Sequence, residues 1–220
     1  MKNSEIKELI KKQKINYPLD QPFYVDDEIF KLDLKNIFNK QWVFVGHISR
    51  IPKVGDYFLF NVGKESIIII RENEDIINAF YNVCRHRGSH ICIEKEGNKK
   101  ILVCPYHAWS YSLNGKLKSA RMMNENFNKE EWSLHKCNIK VFEGLIFLNL
   151  SDKPNDFDEF IAPTKKFIEF HGLEDAKIAH REIYPTDGNW KLTLDNFHEC
   201  YHCQPAHPEY CSVHDPEYII

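Results

Sequence analysis

Long apolar runs, an excess of basic residues and a secretory leader are all missing from this chain of 220 residues. No stretch approaches the roughly 18 apolar residues that a membrane span requires. The first residues, MKNSEIKELIKKQK, contain no apolar signal region. The formal net charge is −3, whereas proteins that bind nucleic acids usually present a basic face. We therefore expect a cytoplasmic protein that binds neither membranes nor nucleic acids.

The sequence also lacks internal repeats, low-complexity linkers and the G-x-G-x-x-G loop that binds dinucleotides. Its composition, 43% hydrophobic and 28% charged, is that of a globular chain that can bury one good core or two modest ones. Seven cysteines are an odd number. Without a secretory signal, these cysteines are expected to be reduced thiols or metal ligands rather than a disulfide framework.

Hydrophobic periodicity divides the chain into three segments. Residues 1–40 carry two helical patterns, IKELIKKQ and DDEIFKLDLKNIFNK, and Asp26 or Asp27 is a plausible N-cap of the second helix. Residues 41–150 contain short apolar runs typical of strands, such as WVFVG, SIIIIR and LIFLNL, separated by glycine and asparagine turns. The middle segment is therefore predicted to be an all-β domain.

The last segment, residues 151–220, reads as mostly helical. FDEFIAPTKKFIEF predicts a helix that is broken near Pro163, and HREIYP predicts a strand. WKLTLDNFHECYHC predicts a further helix, which Pro205 ends or bends.

Two short stretches, CRHRGSHIC and CPYHAWSY, each contain a cysteine followed closely by a histidine. Cys84 and His86 form C-x-H, and Cys104 and His107 form C-x2-H. Both cysteines follow strand-like runs, so the cysteine–histidine pairs are expected at strand ends. Two loops at such a place can bind one metal group between them. Four such side chains in two loops are typical of a metal site.

The distribution of these residues favours one kind of metal site. Structural zinc also uses two cysteines and two histidines, but its motifs usually pair cysteine with cysteine and histidine with histidine. A [2Fe–2S] cluster with two cysteines on one iron and two histidines on the other needs one matched pair from each loop. Structural zinc and four residues that merely pack are the alternatives.

CRHRG and CPYHAWSY resemble the fingerprint loops of the Rieske non-haem iron oxygenases, in their large catalytic alpha subunit. The resemblance implies that Cys84 and Cys104 bind one iron of a Rieske [2Fe–2S] cluster and that His86 and His107 bind the other. The second loop departs from the family pattern at Ala108, where glycine is usual. This change adds a methyl group without removing a ligand.

A second motif lies in NWKLTLDNFHECYHCQPAHPE. Asp195, Glu199 and His202 follow the helical spacing i, i+4 and i+7, which places them on one face of a helix. His207 comes five residues after His202, and a bend at Pro205 would let both imidazoles bind one metal in a 2-His-1-carboxylate site. The motif resembles the mononuclear-iron motif of the same oxygenases, which implies Fe(II) on His202 and His207.

The resemblance also assigns roles to neighbouring residues. Glu199 stands where the family has an acidic residue that links a Rieske histidine of one subunit to an iron histidine of the next, which implies a homotrimer. Asn196 is placed near the iron. The alternative for Glu199 is a solvated glutamate on the helix face. The alternative for Asn196 is an ordinary polar residue of the helix. Cys200 and Cys203 form C-x2-C, which is typical of metal or redox pairs, but we expect packed thiols.

The fold class implied by the resemblance is α+β. An all-β Rieske domain of antiparallel sheets, residues 41–150, would be flanked by the N-terminal helices. It would be followed by the start of an α+β, helix-grip-like catalytic domain.

The implied activity is that of a mono- or dioxygenase. A flavin-containing reductase or a ferredoxin would pass electrons from NAD(P)H through the [2Fe–2S] cluster to Fe(II), where O2 is activated to hydroxylate a small organic substrate. ECYHCQPAHPEY looks closer to members that act on quaternary ammonium compounds, such as glycine betaine, carnitine or proline betaine, by N-demethylation or C–N cleavage. An aromatic-ring hydroxylating dioxygenase is the first alternative. A Rieske electron carrier without oxygenase activity is the second.

The third iron ligand is expected outside this sequence. The family supplies that carboxylate from a helix far downstream, and Glu209, Asp215 and Glu217 follow His207 too closely to match it. We therefore expect the front part of a longer subunit. This part alone would bind the cluster, hold Fe(II) weakly, expose apolar surface and lack oxygenase activity.

Overall fold

The computed structural model describes residues 1–124 and 126–214, so that Asp215 and Glu217 lie outside the described residues. The chain forms two compact units: Asp33–Arg181, and Met1–Leu32 together with the described part of Glu182–Ile220. Helices and antiparallel sheets are both present, which confirms the predicted α+β class. Among the described helices, none has the length and apolar character needed to cross a bilayer.

The larger unit is built on short strands that pair antiparallel throughout the described sheets. The strands are β1 (Val43–His47), β2 (Asp56–Val62), β3 (Glu65–Arg71), β4 (Ile77–Tyr81), β5 (Glu96–Asn98), β6 (Leu102–Val103), β7 (Ser110–Tyr111), β8 (Leu117–Ser119), β9 (Asn138–Phe142) and β10 (Leu145–Asn149). They form three sheets with the strand orders β1-β10-β9, β4-β3-β2-β5 and β6-β7-β8.

The isoleucine run of β3 explains how this unit is layered. All four isoleucines, residues 67–70, have 0% exposed surface. Because successive side chains of a strand point to opposite faces, Ile68 and Ile70 enter one core while Ile67 and Ile69 enter another. The first of these cores also contains Cys84. A strand buried on both faces therefore forms the base of the predicted metal site.

Both cysteine–histidine motifs lie at strand ends, as the sequence predicts. The first ligand loop, residues 84–92, follows β4 and precedes β5. The second ligand loop, residues 104–109, connects β6 to β7, whose residues Val103 and Ser110 are directly paired. The second ligand loop is therefore closed by a strand pair at its base.

The helices follow the predicted pattern over much of the chain. Asp26 caps the third helix, because its Oδ1 accepts hydrogen bonds from the N–H groups of Glu28 (3.0 Å) and Ile29 (3.1 Å). The predicted break near Pro163 separates the fourth helix from the fifth. The α-helices are α1 (Asn3–Lys12), α2 (Pro22–Val25), α3 (Asp27–Asp33), α4 (Phe157–Ile161), α5 (Lys165–Phe170), α6 (Trp190–His198), α7 (Cys203–Ala206) and α8 (Pro208–Cys211).

Single turns supplement these helices. A π-helical turn, Leu34–Phe38, follows α3 directly. Short 3-10 turns occur at Ile48–Arg50, Lys129–Trp132 and Leu173–Asp175.

The smaller unit joins the two ends of the described chain. Ile6, Phe23 and Ile29 form its buried apolar cluster. Helix α6 contacts this helical segment through two polar side chains: Lys191 Nζ donates to the carbonyl of Phe23 (3.2 Å), and the Tyr24 hydroxyl donates to Asp195 Oδ2 (2.7 Å). Lys191 is buried, so its ammonium group exchanges water for the carbonyl and for the face of the neighbouring Trp190 ring, at 5.1 Å.

Two sequence predictions differ from the structure in the last segment. HREIYP, residues 180–185, is exposed and forms no strand. The helix predicted over WKLTLDNFHECYHC ends at His198, because Glu199 is extended (φ −113°, ψ 109°). Pro205 lies in the first turn of α7, where proline is tolerated, whereas inside a continuous helix its ring would clash with the carbonyl of Tyr201.

Candidate metal centres

The two ligand loops share one pattern of backbone hydrogen bonds. In each loop the cysteine carbonyl accepts from the N–H of the fourth following residue, and the cysteine N–H donates to the carbonyl of the fifth. The distances are 2.9 and 2.8 Å in the first ligand loop and 3.0 and 2.8 Å in the second. The fourth residue is Gly88 (φ +75°) in one loop and Ala108 (φ +57°) in the other. Cys84 and Cys104 therefore begin two equivalent turns, each of which contains one residue in the left-handed conformation.

The four predicted cluster ligands come together, with their sulfur and nitrogen atoms in different surroundings. Cys84 and Cys104 are each only 2% exposed, and their thiols lie within interaction distance of each other. His86 is partly exposed and His107 is exposed. The two imidazoles meet with their Nδ1 atoms 3.2 Å apart and their rings at 77°. The thiols thus form a buried side of the site and the imidazoles an open side.

This arrangement fits a [2Fe–2S] cluster. Two nitrogen ligands about 2.1 Å from a tetrahedral metal lie about 3.4 Å apart, close to the separation of 3.2 Å between the Nδ1 atoms of His86 and His107. A cluster with two irons needs only two protein ligands for each iron. Among the described residues, no group of three or more His, Cys, Asp or Glu side chains is placed to hold a single metal ion.

Tyr111, which sequence reasoning missed, contacts the sulfur side of the site. Its hydroxyl lies 3.3 Å from Cys84 Sγ and accepts a hydrogen bond from the Arg85 N–H at 3.1 Å. Burial raises the pKa of Tyr111, so the hydroxyl keeps its proton and can donate it toward the sulfur. Burial likewise raises the pKa of the Cys84 thiol, and the Tyr111 hydrogen bond opposes that rise. A buried tyrosine needs a polar partner, which is the signal that could have found it.

Trp109 supports the imidazole side. The indole is 1% exposed and stacks on the His86 ring, with centroids 4.8 Å apart and planes at 12°. Phe127 and Trp132 pack edge-on against it, each at 5.6 Å. This aromatic group limits the positions that the His86 ring can take and keeps water away from its inner face.

The second candidate centre flanks α7, with His202 directly before this helix and His207 directly after it. The rings of His202 and His207 are 5.4 Å apart at 81°. Glu199 Oε1 accepts from the His202 backbone N–H (3.1 Å), and Oε2 lies 3.4 Å from His202 Nδ1. Because the carboxylate faces Nδ1, the Nε2 atom of His202 remains available as a metal ligand.

The other predicted residues of this region do not join the two imidazoles. Because α6 ends at His198, the expected face of Asp195, Glu199 and His202 does not form. Asp195 accepts from Tyr24 instead, and Asn196 lies exposed in α6. Within the described ranges no carboxylate completes a set of three with His202 and His207.

Cys200 and Cys203 differ from the expectation of separate packed thiols. Their Cα atoms lie 5.1 Å apart across the turn before α7, and their sulfur atoms are in disulfide contact. The remaining five cysteines are free.

Sequence comparisons match two parts of the chain to known families. Residues 41–143 match the Rieske [2Fe-2S] domain, and residues 173–218 match the ring hydroxylating alpha subunit (catalytic domain). The first match contains both ligand loops, and the second contains the candidate histidines of the second centre.

Individual relatives agree with these matches. The glycine betaine monooxygenase oxygenase subunit of Pseudomonas aeruginosa is 37% identical over 92% of this chain and 47% of that protein. The benzene 1,2-dioxygenase alpha subunit of Pseudomonas putida is 33% identical over 91% of this chain and 46% of that protein.

A solved structure of a quaternary ammonium Rieske monooxygenase, which gives insights into carnitine oxidation and inter-subunit electron transfer, superposes with a TM-score of 0.80. It is 34% identical and covers 86% of this chain and 53% of that one. The chain spans about half the length of the curated relatives it matches.

Proposed function

Because the chain belongs to the alpha subunits of the Rieske ring-hydroxylating oxygenases, we propose that the whole protein is the oxygenase component of a monooxygenase for a quaternary ammonium compound. The observation that carries the proposal is the pairing of two equivalent cysteine–histidine loops whose Nδ1 atoms face each other at 3.2 Å. The relative with 37% identity, which acts on glycine betaine, supports the substrate class.

Each predicted ligand has a role in this proposal. Cys84 and Cys104 would hold one iron of the cluster, and His86 and His107 would hold the other through Nδ1. His202 and His207 would hold Fe(II). When bound, the cluster would supply single electrons and the Fe(II) centre would activate O2.

Glu199 is assigned to orient the iron site. Its carboxylate faces His202 Nδ1 at 3.4 Å, so it holds the Nδ1 proton and directs Nε2 toward the metal. Glu199 is about half exposed, which leaves it accessible to a second imidazole from a neighbouring subunit. We therefore expect a homotrimer in which Glu199 links the two kinds of centre, in agreement with the inter-subunit electron transfer of the related carnitine-oxidising enzyme. Asn196 is assigned a supporting role near this iron.

The proposed reaction inserts one oxygen atom into a C–H bond next to the quaternary nitrogen. The substrate, O2, two electrons and two protons give the hydroxylated compound and water. The C–N bond then breaks, which releases an aldehyde and the smaller amine. The electrons come from NAD(P)H through a flavin-containing reductase or a ferredoxin as the partner protein, since the sequence carries no G-x-G-x-x-G loop. A cytoplasmic location stays a prediction from the sequence.

The test is a substrate panel with the whole protein, NADH and a surrogate reductase. Glycine betaine, carnitine and proline betaine are compared with benzoate and benzene while O2 uptake and aldehyde release are recorded together. We expect one of the betaines to give equal amounts of aldehyde and consumed O2. His202→Ala serves as the control that keeps both ligand loops and loses the reaction.

Two other outcomes would replace this proposal. Hydroxylation of an aromatic ring without aldehyde release would favour a ring dioxygenase, the activity of the relative with 33% identity. An electron carrier would show only the two cluster irons in each whole chain and no substrate-dependent O2 uptake. Metal analysis of the whole protein distinguishes the carrier from both oxygenases.

A further inference from the structure

Asn82 lies two residues before Cys84, at the point where the chain leaves β4, and its side chain has 0% exposed surface. We infer that Asn82 is a positioning residue that fixes the first ligand loop in the shape required to bind the cluster. This inference rests on the proposed role of that loop.

The amide group of Asn82 uses its full hydrogen-bonding capacity. Oδ1 accepts from the N–H groups of Ile91 and Cys92, both at 2.9 Å. Nδ2 donates to the carbonyl of Cys92 (2.7 Å) and to Ser66 Oγ (3.3 Å). Two accepted and two donated bonds are all that an asparagine side chain can make. The side chain therefore ties the start of the loop to its far end and to β3.

The two ligand loops need different means of closure. The second ligand loop is flanked by β6 and β7, which pair directly at Val103 and Ser110. The first ligand loop follows β4, but no strand begins before β5 at Glu96. Its base therefore lacks a strand pair, and the hydrogen bonds of the Asn82 amide to Ile91 and Cys92 close the loop instead. In forming these bonds it satisfies buried backbone groups that would otherwise be desolvated without partners.

The chemistry of the site selects asparagine. Aspartate has the same shape but cannot donate, so its carboxylate would lie buried against the carbonyl of Cys92 and against Ser66 Oγ. Alanine would leave the N–H groups of Ile91 and Cys92 without an acceptor. Glutamine is one methylene longer, and a fully buried site has no room for it.

Asn149 provides a matched control. It is also 0% exposed and lies in the same unit, on β10. Its Nδ2 donates to the carbonyl of Lys40 (2.9 Å), and its Oδ1 accepts from the Ser151 N–H (2.8 Å). Asn149→Ala therefore removes a comparable set of buried hydrogen bonds from a strand that holds no ligand loop.

The experiment compares Asn82→Ala and Asn149→Ala in the whole protein with its cluster. Circular dichroism first defines a temperature at which both variants are folded. The readouts are iron and acid-labile sulfide per chain, the cluster's reduction potential, and the rate at which an iron chelator bleaches the cluster. We expect both variants to unfold at lower temperature, whereas only Asn82→Ala bleaches faster than the parent, by about tenfold, and shifts the potential.

The possible outcomes distinguish a failure of the role of Asn82 from a failure of the proposed function. Equal bleaching rates and equal potentials in the two variants would show that Asn82 is an ordinary structural residue. A parent protein without iron and sulfide would overturn the proposed function itself. If Asn82→Ala does not fold, Ser66→Ala removes only the partner at 3.3 Å. That variant is expected to bleach about twofold faster, and a rate equal to that of the parent would overturn the inference.

Discussion

Ala108 has a backbone conformation that is costly for every residue except glycine. Its φ of +57° lies in the left-handed region, and Gly88 occupies the equivalent position of the first ligand loop at +75°. The methyl group of an L-residue in this region costs about 1 kcal/mol. The hydrogen bonds on both sides of Ala108, at 3.0 and 2.8 Å, hold it there. The second ligand loop is therefore strained at the backbone of Ala108.

Ala108→Gly should increase the free energy of unfolding by up to about 1 kcal/mol, because the left-handed conformation costs glycine nothing. Ala162→Gly is the matched control, since Ala162 is exposed and lies at φ −48°. There glycine should decrease the free energy of unfolding by about 0.5–1 kcal/mol. Urea unfolding followed by fluorescence measures both values. A decrease of the same size in both variants would show that Ala108 is not strained.

Tyr111→Phe should lower the reduction potential of the cluster by about 60 mV, because it removes a hydrogen bond to the Cys84 sulfur that favours the reduced over the oxidised cluster by about 1.4 kcal/mol. Reduction adds negative charge, and the hydroxyl stabilises that charge. Tyr57→Phe is the control, since Tyr57 is also buried but donates to the Glu94 carbonyl. A potentiometric titration monitored by EPR gives both potentials. Equal potentials in Tyr111→Phe and the parent would contradict the proposed hydrogen bond to sulfur.

At the scale of elements, α7 determines the second centre, because His202 is its N-cap and His207 is its C-cap. A continuous helix would point His202 and His207 in different directions, because residues five apart lie about 140° apart around the axis. His207 instead departs from the helical conformation (φ −134°, ψ 62°), and the two rings lie 5.4 Å apart. Glu199 stabilises the turn before α7 by accepting from the His202 N–H at 3.1 Å. One side chain therefore caps the turn and orients an imidazole.

Glu199→Gln keeps the shape of this side chain and removes its charge. We expect the cluster to be reduced as in the parent, while its oxidation by O2 in the presence of substrate slows about 10- to 100-fold in a single turnover. Glu209→Gln removes a carboxylate two residues from His207 and serves as the control, with an unchanged rate. Stopped-flow absorbance of the cluster measures the rate. Normal oxidation in Glu199→Gln would exclude its role as a link between the centres.

The sequence predicts those elements whose signal is local. The isoleucine run of β3 and the cysteine–histidine spacings are local patterns, and the structure places both as expected. The end of α6 at His198 was not predictable from its own residues, because Pro205 predicts a break only near Tyr201. Tyr111 and Asn82 were missed since their roles depend on partners brought together by the sheets. The contact of Tyr24 with Asp195 joins residues 171 positions apart.

At the scale of the whole molecule, removal of the metals should affect the two units differently. The ligand loops meet at the four side chains predicted to bind the cluster, at the stack of Trp109 on His86 and at the core beneath them, so apo protein would lose the metal bonds that link the loops. The apolar cluster of Ile6, Phe23 and Ile29 involves no predicted ligand.

Chelation of iron under anaerobic conditions should therefore increase amide exchange in residues 84–92 and 104–109 by at least about tenfold. Exchange in α1–α3 should remain within about twofold of the holo protein. Hydrogen–deuterium exchange with mass spectrometry measures both regions in one experiment, and restored protection after reconstitution is the control. Equal increases in both regions would show that the cluster stabilises the whole chain rather than its own loops.

The pairing of α6 with the N-terminal helices also has a consequence for biosynthesis. The bonds from Lys191 to Phe23 and from Tyr24 to Asp195 span 168 and 171 residues. At roughly 5 to 20 residues per second, a ribosome needs about 10 to 30 s to add that length. During this interval the helical segment around Phe23 has left the ribosome, whereas the helix that completes it has not been made. We therefore expect the apolar face around Phe23 to be a surface that chaperones can bind until α6 emerges. The candidate ligands of the second centre are synthesised after those of the first.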